Sequence, residues 1–174
     1  IIHQHHEVFG SMDAFGDKVR IQINDTHPAL IIADLMRTLC ADHKTSWDKA
    51  LEITRSICSY TNHTIMKEAL EEWNECRLKD LLPRQYHIIQ KLNDQFCTDV
   101  RNRFPTDEER VRRMSMIENG QIKMAHLAIY GSHKVNGVAQ LHSELIKTTL
   151  FKDFYELWPE KFTNVTNGVT QRRW

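Results

Sequence analysis

The sequence predicts an α/β fold in which a small parallel sheet is covered by long helices. Strand-like segments are followed by polar clusters and then by stretches with helical periodicity. Alternating elements of this kind form parallel sheets with helices on their faces. The 174 residues include only six glycines and four prolines, so few positions interrupt the helices. A chain of this length buries about 70% of the surface that its unfolded form exposes, which suits one domain.

The first unit combines a strand, a polar turn and a helix. Residues 19–23 alternate apolar and polar side chains, which predicts a strand. The polar cluster at 24–28 follows and ends in Pro28, a residue favoured in the first turn of a helix. A helix is expected from there, because an apolar stripe continues at helical spacing. The stripe consists of Ile32, Leu35, Met36, Leu39 and Cys40.

The second unit begins with a helix that Thr45 and Asp48 are expected to cap, since their spacing fits a capping box. Residues 57–60 are rich in β-forming side chains and predict a second strand. The polar cluster at 61–64 ends this strand, and another helix is expected after it. That helix would carry one apolar face made of Ile65, Ala69, Leu70 and Trp73.

The middle of the chain is predicted to be mostly helical. Pro83 should open a long helix, and Thr106 with Glu109 fits a further capping box. The inward side chains of the long helix would be Ile89, Leu92, Phe96 and Val100. The apolar run at 124–130 fits either a helix or a strand, because periodicity does not decide between them for so short a run.

The last unit has a polar cluster at 131–137, a helix over 138–147 and a short strand at 162–165. A fourth polar cluster follows this strand. Ligands of parallel sheets bind outside the carboxyl ends of the strands. We therefore expect one edge of the sheet to carry all the clusters, at 24–28, 61–64, 131–137 and 166–168.

Composition excludes several classes of protein. Lys and Arg together number 23, as do Asp and Glu, so the formal net charge is zero. Proteins that bind nucleic acids normally carry a basic surplus, so no nucleic-acid partner is expected. The longest apolar run is 29–33, far shorter than the roughly 20 residues that span a bilayer, so no membrane partner is expected. The four cysteines form no CxxC pair and are expected to be reduced thiols of a cytoplasmic protein.

Two of the polar clusters contain groups that could carry chemistry. Asp25 could cap the helix expected at Pro28, or it could accept a hydrogen bond from the ring of His27 and fix its tautomer. His63 could be a histidine at the rim of the core with both ring nitrogens satisfied, or it could be functional. Asn136 and Asn167 each precede a glycine, a pair that marks either a plain turn or an anion-facing turn.

Other signatures of catalysis are missing. His3, His5 and His6 resemble a metal-ligand cluster but lack cysteine or carboxylate ligands at zinc spacing, so no metal site is predicted. The chain has no GxGxxG, P-loop, GxSxG or HExxH motif. The residues alone therefore predict a sugar- or phosphate-type ligand at the sheet edge and name no reaction. A binding module without catalysis is the alternative function at this point.

From residue 19 onward the sequence resembles the α-glucan phosphorylase family, whose members act on glycogen, starch or maltodextrin. The matching motifs lie in the family's order and spacing. They are IQINDTHPAL at 21–30, SYTNHT at 59–64, EALEEW at 68–73, LLPR at 81–84, RRMSMIE at 112–118, MAHLAIYGSHKVNGVAQLHSELIKT at 124–148 and FKDFYELWPEKFTNVTNGVTQRRW at 151–174.

The resemblance implies a GT-B type enzyme whose N-terminal domain is Rossmann-like with a parallel sheet. Residues 1–18 match poorly, 19–165 would form the helix-rich later part of that domain, and 166–174 would cross into the second domain. The cofactor would be pyridoxal 5′-phosphate, bound covalently to a lysine downstream of this chain. The chain alone would then be an inactive segment of a larger cytoplasmic enzyme.

The reaction implied by the resemblance transfers the terminal α-1,4-linked glucose of a glucan to inorganic phosphate. The product would be glucose 1-phosphate with retained configuration, and the enzyme would be a homodimer. The cofactor phosphate would relay a proton through the substrate phosphate, so no pair of catalytic carboxylates is required.

The family's site residues transfer to matching positions of this sequence. His63 and Asn167 would bind the 6-hydroxyl of the glucose. Asp25 and His27 would lie beside the anomeric carbon. Trp174 would pack near the cofactor ring. The wall of the pocket would be completed by Thr64, Asn136 and Val138.

Overall fold

A computed structural model describes residues 1–12 and 14–173 of the chain. The described residues form a parallel sheet, a smaller antiparallel sheet and the helices around them. The helices are α1 (Ile2–Phe9), α2 (Phe15–Lys18), α3 (Ile31–Ala41), α4 (Trp47–Ile57), α5 (Glu75–Leu81), α6 (Pro83–Arg103), α7 (Glu108–Met114), α8 (Met124–Tyr130), α9 (Gln140–Leu145) and α10 (Lys152–Leu157). The strands are β1 (Ile21–Asn24), β2 (Cys58–Thr61), β3 (Glu72–Asn74), β4 (Ile117–Glu118), β5 (Gln121–Lys123), β6 (Lys134–Gly137) and β7 (Phe162–Asn164).

The parallel sheet has the strand order β1-β2-β6-β7, and all its neighbouring strands run in the same direction. Its register pairs Asn24 with Thr61, and Thr61 with Asn136. Gly137 pairs with Asn164 on the far side. The carboxyl ends of the strands are therefore level with one another. The predicted α/β fold with a parallel sheet is confirmed.

The core lies between the sheet and the long helices. The side chains of Ile23, Tyr60 and Val135 are fully buried at the centres of their strands. Helix α3 packs against α4 and α6 with most of its predicted apolar stripe buried. The helix begins later than predicted, because residues 27–30 form turns and α3 begins at Ile31.

The long helix α6 is confirmed, with Pro83 in its first turn. Its inward side chains are those expected from the sequence: Ile89, Leu92, Phe96 and Val100. Phe96 stacks on the rings of Phe154 and Trp158, with both centroid distances at 5.6 Å. This aromatic cluster attaches α10 and the residue after it to α6, so distant parts of the sequence share one core.

The helix predicted after residue 64 is wrong. A 3-10 turn at Lys67–Ala69 is followed by β3, which pairs with β5 in an antiparallel sheet of order β3-β5-β4. Trp73 lies opposite Ile122 in this sheet, and Ile122 is fully buried. A cross-strand apolar pair outweighs the helical spacing of the local sequence.

The third strand lies inside the cluster that was expected to follow it. Residues 124–130 form helix α8, and β6 is made from the polar-looking sequence KVNG at 134–137. Val135, Asn136 and Gly137 are buried between β2 and β7. The helix predicted over 138–147 consists of α9 continued by a π-helical turn at Ile146–Leu150. Packing between two strands, rather than apolar content, makes this segment extended.

The predicted caps differ in detail. Asp107, not Thr106, caps α7, and its Oδ1 accepts the N–H of Arg110 at 2.9 Å. Ser46, not Thr45, is the N-cap residue of α4. The cysteines are free thiols, as expected. Within the described residues, no helix combines the length and apolar character that crossing a membrane requires.

Candidate functional site

Polar segments after the first three parallel strands meet at the carboxyl edge of the sheet. The N–H of Asp25 donates to the carbonyl of Thr61 at 2.9 Å. The N–H of Asn62 donates to the carbonyl of Asn136 at the same distance. These bonds continue the strand pairing beyond the ends of β1 and β2. The segments that carry Asp25, His63 and Asn136 are therefore neighbours, as the sequence predicts.

The segment after β7 joins the same edge. The N–H of Val165 donates to the carbonyl of Gly137 at 3.1 Å, and the N–H of Asn167 donates to the carbonyl of Val138 at 2.9 Å. The side chain of Asn167 is exposed. The fourth cluster is thus tied to the others by its backbone, and its amide remains accessible to solvent.

Part of the cluster at 131–137 lies elsewhere. The N–H of His133 donates to the carbonyl of Cys58 at 3.0 Å, and Cys58 is the first residue of β2. Residues 131–133 therefore lie at the amino edge of the sheet. Only the end of this cluster reaches the candidate site, because β6 itself crosses the sheet between the two edges.

His63 is held by a residue that the sequence analysis did not single out. Its Nε2 lies 2.6 Å from Oδ1 of Asn24, the last residue of β1. Both side chains are exposed at the edge. Asn24 is part of the motif IQINDTHPAL, so its position was recognised but no role was assigned to it. The structure thus adds a neighbour to the candidate histidine.

The turn after β1 has an unusual backbone. Asp25 has a φ of 64°, a left-handed conformation that aspartate tolerates better than most residues. Its Oδ1 accepts the N–H of Thr26 at 2.6 Å. Among the described residues, this carboxylate accepts no hydrogen bond from the first turn of α3 and none from the ring of His27. The side chain of His27 is exposed. Neither of the two roles considered for Asp25 from spacing is realised.

Glu71 anchors this turn from another part of the chain. The buried Thr26 donates its hydroxyl to Oε2 of Glu71 at 2.8 Å. The indole N–H of Trp73 donates to Oε1 of the same carboxylate at 2.8 Å. Sequence reasoning missed this role, although Glu71 belongs to the motif EALEEW. The carboxylate links the candidate site to the antiparallel sheet.

The loop that carries His63 is fixed from inside. Asn62 is fully buried, and its amide nitrogen donates to the hydroxyl of Tyr60 at 3.1 Å. Its Oδ1 accepts the N–H of Thr64 at 3.1 Å. Burial raises the pKa of Tyr60, so this hydroxyl stays protonated near neutral pH. The two residues that flank His63 are therefore bonded together through a buried amide.

Asn136 is bonded within the sheet. Its Oδ1 accepts the hydroxyl of Thr61 at 2.9 Å, and its Nδ2 donates to the carbonyl of Gly137 at 2.9 Å. Gln22 donates to the same Thr61 hydroxyl at 2.7 Å. A row of polar side chains thus crosses β1, β2 and β6 just below the edge, and Asn136 is 9% exposed.

Gly137 permits a close approach at the end of β6. A Cβ atom there would lie 2.5 Å from Oγ of Ser143 and 2.6 Å from Nδ1 of His142. The same Nδ1 accepts the N–H of Val138 at 3.1 Å. Because no larger side chain fits, the glycine lets the start of α9 close over the edge next to Val138.

Comparison with known proteins supports the resemblance. The family model described as "Carbohydrate phosphorylase" matches residues 1–174. The chain belongs to the carbohydrate phosphorylase family. Its relatives include the muscle form of glycogen phosphorylase from rabbit (Oryctolagus cuniculus), which is 56% identical over 167 residues, or 94% of this chain. The human (Homo sapiens) muscle form is 55% identical over the same share.

The brain form of glycogen phosphorylase from rat (Rattus norvegicus) is 56% identical over 165 residues, or 93% of this chain. In each of these three comparisons the matched region is 20% of the relative. This member of the carbohydrate phosphorylase family therefore spans about one fifth of the length of the relatives that it matches.

The side chains at the carboxyl edge of the sheet suit a ligand with many hydroxyl groups. Amide, imidazole and carboxylate groups lie on adjacent segments, and amides and neutral imidazoles both donate and accept hydrogen bonds. Among the described residues, no three His, Cys, Asp or Glu side chains are placed to hold a metal ion. His3 is paired with Glu7 at 3.1 Å, whereas His5 is buried. Trp174 lies outside the described residues.

Proposed function

We propose that this chain forms the glucose-binding edge of a cytoplasmic glycogen phosphorylase. The complete enzyme would transfer the terminal α-1,4-linked glucose of a glucan to inorganic phosphate and release glucose 1-phosphate with retained configuration. The observation that carries the proposal is the meeting of His63, Asp25 and the segment of Asn167 at one sheet edge in a member of the phosphorylase family. Relatives named glycogen phosphorylase favour glycogen as the glucan.

In this proposal each contact residue has a chemical task. His63 and Asn167 bind the 6-hydroxyl, because an imidazole and an amide can each either donate to it or accept from it. Asp25 and His27 lie beside the anomeric carbon, where the aspartate charge would favour the positive charge that develops there. The wall of the sugar pocket consists of Thr64, Asn136 and Val138.

The same proposal includes the domain organisation, the oligomeric state and the cofactor of the complete enzyme. Residues 19–165 belong to a GT-B type N-terminal domain, and residues 166–174 lead into a second domain. Two copies of the complete polypeptide form a homodimer. Pyridoxal 5′-phosphate supplies a phosphate that relays protons when it is bound. The described edge residues offer amides, imidazoles and a carboxylate, which suit the sugar, so the cofactor is assigned to the second domain and to Trp174.

The substrate assignment is tested on the complete enzyme with glucose 1-phosphate and its 6-deoxy analogue. The wild type should prefer the hydroxylated sugar, since a site that reads a hydroxyl can discriminate by up to about 10⁴-fold. Asn167→Asp should lose most of that preference, because a carboxylate cannot donate to the hydroxyl and repels the phosphate. His63→Ala should lower kcat more than it raises KM, because its contact strengthens in the transition state.

The matched control is Asn102→Asp, which places the same charge on an exposed position of α6, outside the edge segments. It should keep the preference of the wild type. Phosphorolysis that is undetectable with the complete polypeptide, or binding of glucan without its cleavage, would contradict the enzymatic function. An unchanged preference in Asn167→Asp would show that Asn167 is only a turn residue.

A further inference from the structure

We infer that Asn24 is a positioning residue that holds the ring of His63 as the Nε2–H tautomer and leaves Nδ1 free to accept a hydrogen bond from the sugar hydroxyl. This inference rests on the proposed function, because it names how the same site orients one of its contact residues. Asn24 does not itself touch the sugar in this arrangement.

The first support is the pairing of the two strands that carry these residues. Asn24 pairs with Thr61 at the ends of β1 and β2, and His63 lies two residues beyond Thr61. Residues two apart on a strand share one face. Gln22 accordingly contacts Thr61, and Asn24 contacts His63. The contact is thus fixed by the register of two hydrogen-bonded strands.

The second support is the chemistry of the contact. Oδ1 of Asn24 lies 2.6 Å from Nε2 of His63, and an amide oxygen can only accept a hydrogen bond. Nε2 must therefore carry the proton. A neutral imidazole with its proton on one nitrogen has a lone pair on the other. Nδ1 of His63 is then an acceptor.

The third support is the surroundings of Nδ1. Within residues 1–12 and 14–173, no hydrogen bond is formed by Nδ1, and the His63 side chain is exposed. A sugar hydroxyl can donate to this nitrogen while it accepts from the amide of Asn167. Each partner would then contribute one complementary bond. A hydroxyl read in both directions is bound more selectively than one read in a single direction.

Charged groups near His63 come from the neighbouring segments. Asp25 and His27 follow β1, and Lys67 with Glu68 follow the loop of His63. The end of β6, over 135–138, contributes no titratable side chain. All of these groups are unchanged in the variants below, so a difference between variants reports the contact with Asn24.

The test uses the complete enzyme and the pH dependence of kcat/KM for glucose 1-phosphate. In Asn24→Asp a carboxylate accepts the Nε2 proton and favours the charged imidazolium over the neutral ring. The charged ring carries a proton on Nδ1 and no longer accepts from the sugar. The acid limb of the profile should therefore move upward by about one pH unit or more, and activity should recover at higher pH.

A second variant removes the bond without adding charge. Asn24→Leu leaves the tautomer unspecified, so kcat/KM should fall about tenfold at every pH, and the preference for glucose 1-phosphate over its 6-deoxy analogue should fall with it. The matched control is Gln22→Glu, which places a charge on the same strand face, two residues away, against Thr61 rather than His63. Its acid limb should move by less than half as much as that of Asn24→Asp, because this carboxylate lies about 7 Å further along the strand and has no hydrogen bond to the ring.

Recovery of Asn24→Asp at high pH, together with uniform loss in Asn24→Leu, would support the inference, because a purely structural role gives no such recovery. An unmoved acid limb in Asn24→Asp overturns it, as does an unchanged sugar preference in Asn24→Leu. Equal shifts in Asn24→Asp and Gln22→Glu also overturn it, because general charge would then explain both. A wild-type enzyme without phosphorolysis overturns the proposed function as well.

Discussion

Lys161 should make the stability of the fold depend on pH between about 7 and 10. It is 9% exposed, and its Nζ donates to the carbonyl of Ile129 at 3.1 Å and lies 3.5 Å from that of Tyr130. Nζ also lies 4.3 Å from the ring centroid of Trp158. Burial, together with the nearby positive charge of Arg55, lowers the pKa of Lys161 to about 7 from an ordinary value of 10.5. The carboxylate of Glu160 offsets only part of this effect, because among the described residues Lys161 forms no ion pair.

The sign and size of the effect follow from this pKa. The unfolded chain protonates Lys161 below pH 10.5, whereas the folded chain protonates it only below about 7. Between these values the unfolded state binds more protons, so the free energy of unfolding rises with pH. Each pKa unit corresponds to about 1.4 kcal/mol, which gives about 5 kcal/mol over the whole interval. Below pH 7 the penalty is constant, because both states are charged.

The measurement is urea unfolding of the wild type and of Lys161→Met at several pH values from 6 to 10. Methionine removes the amine, so the variant should lose this part of the pH dependence. It also removes the donor to Ile129, but that loss shifts the whole curve and leaves its slope unchanged. The control is Lys134→Met, an exposed lysine of β6. Parallel curves for the wild type and Lys161→Met over this range would refute the reasoning.

Two further predictions concern the anchor of the site and the packing beneath the sheet. Glu71→Gln should lower kcat of the complete enzyme about tenfold, because its single carbonyl oxygen replaces two accepting carboxylate oxygens. Glu72→Gln, at the exposed neighbouring position, should change kcat less than twofold, and equal effects of the two would contradict the anchoring role. Gly131→Ala should destabilise the chain by about 1–3 kcal/mol in urea unfolding, because its Cβ would collide with Ile32. Gly168→Ala, which meets open space, should stay within about 0.5 kcal/mol, and equal losses in both would contradict the packing argument.

Local patterns predicted the first half of the parallel sheet well. The alternating residues before Asn24 predict a strand, and the apolar stripe after Pro28 predicts a helix. Strand β1 and helix α3 confirm both predictions, with small shifts in their bounds. Helix α6 was equally predictable, because its apolar positions repeat over 21 residues after a proline. Elements with a long periodic pattern, or with a proline or polar cluster at their start, are determined mainly by local sequence.

Segments whose conformation depends on distant partners were not predictable in this way. The sequence at 134–137 is half polar, yet it is extended because β2 and β7 lie on either side of it. Trp73 has a helical neighbour pattern, but the strand at 121–123 provides a buried partner for it. In both cases the strand pairing that decides the conformation involves residues more than 20 positions away, so the neighbouring sequence does not indicate it.

The same distinction between local and long-range interactions applies to the candidate site. The polar clusters could be located from the sequence, since turns at strand ends have a recognisable composition. Their supports could not, because Asn24 and His63 are 39 residues apart and Thr26 and Glu71 are 45 apart. Asn24 lies in the polar cluster at 24–28, whereas only the resemblance drew attention to the motif that contains Glu71, and neither the cluster nor the resemblance assigned a role to either residue.

These supports indicate how the edge meets its ligand. His27, His63 and Asn167 are exposed, whereas Thr26 and Asn62, which bond the loops between them, are buried. Buried hydrogen bonds keep a loop in one conformation before any sugar arrives, so less conformational entropy is lost on binding. A reacting sugar gains most when its contacts are already oriented. If the proposed function holds, substitutions of Thr26 or Asn62 should therefore change the rate of the reaction as well as the stability of the fold, although the proposal assigns neither side chain a contact with the sugar.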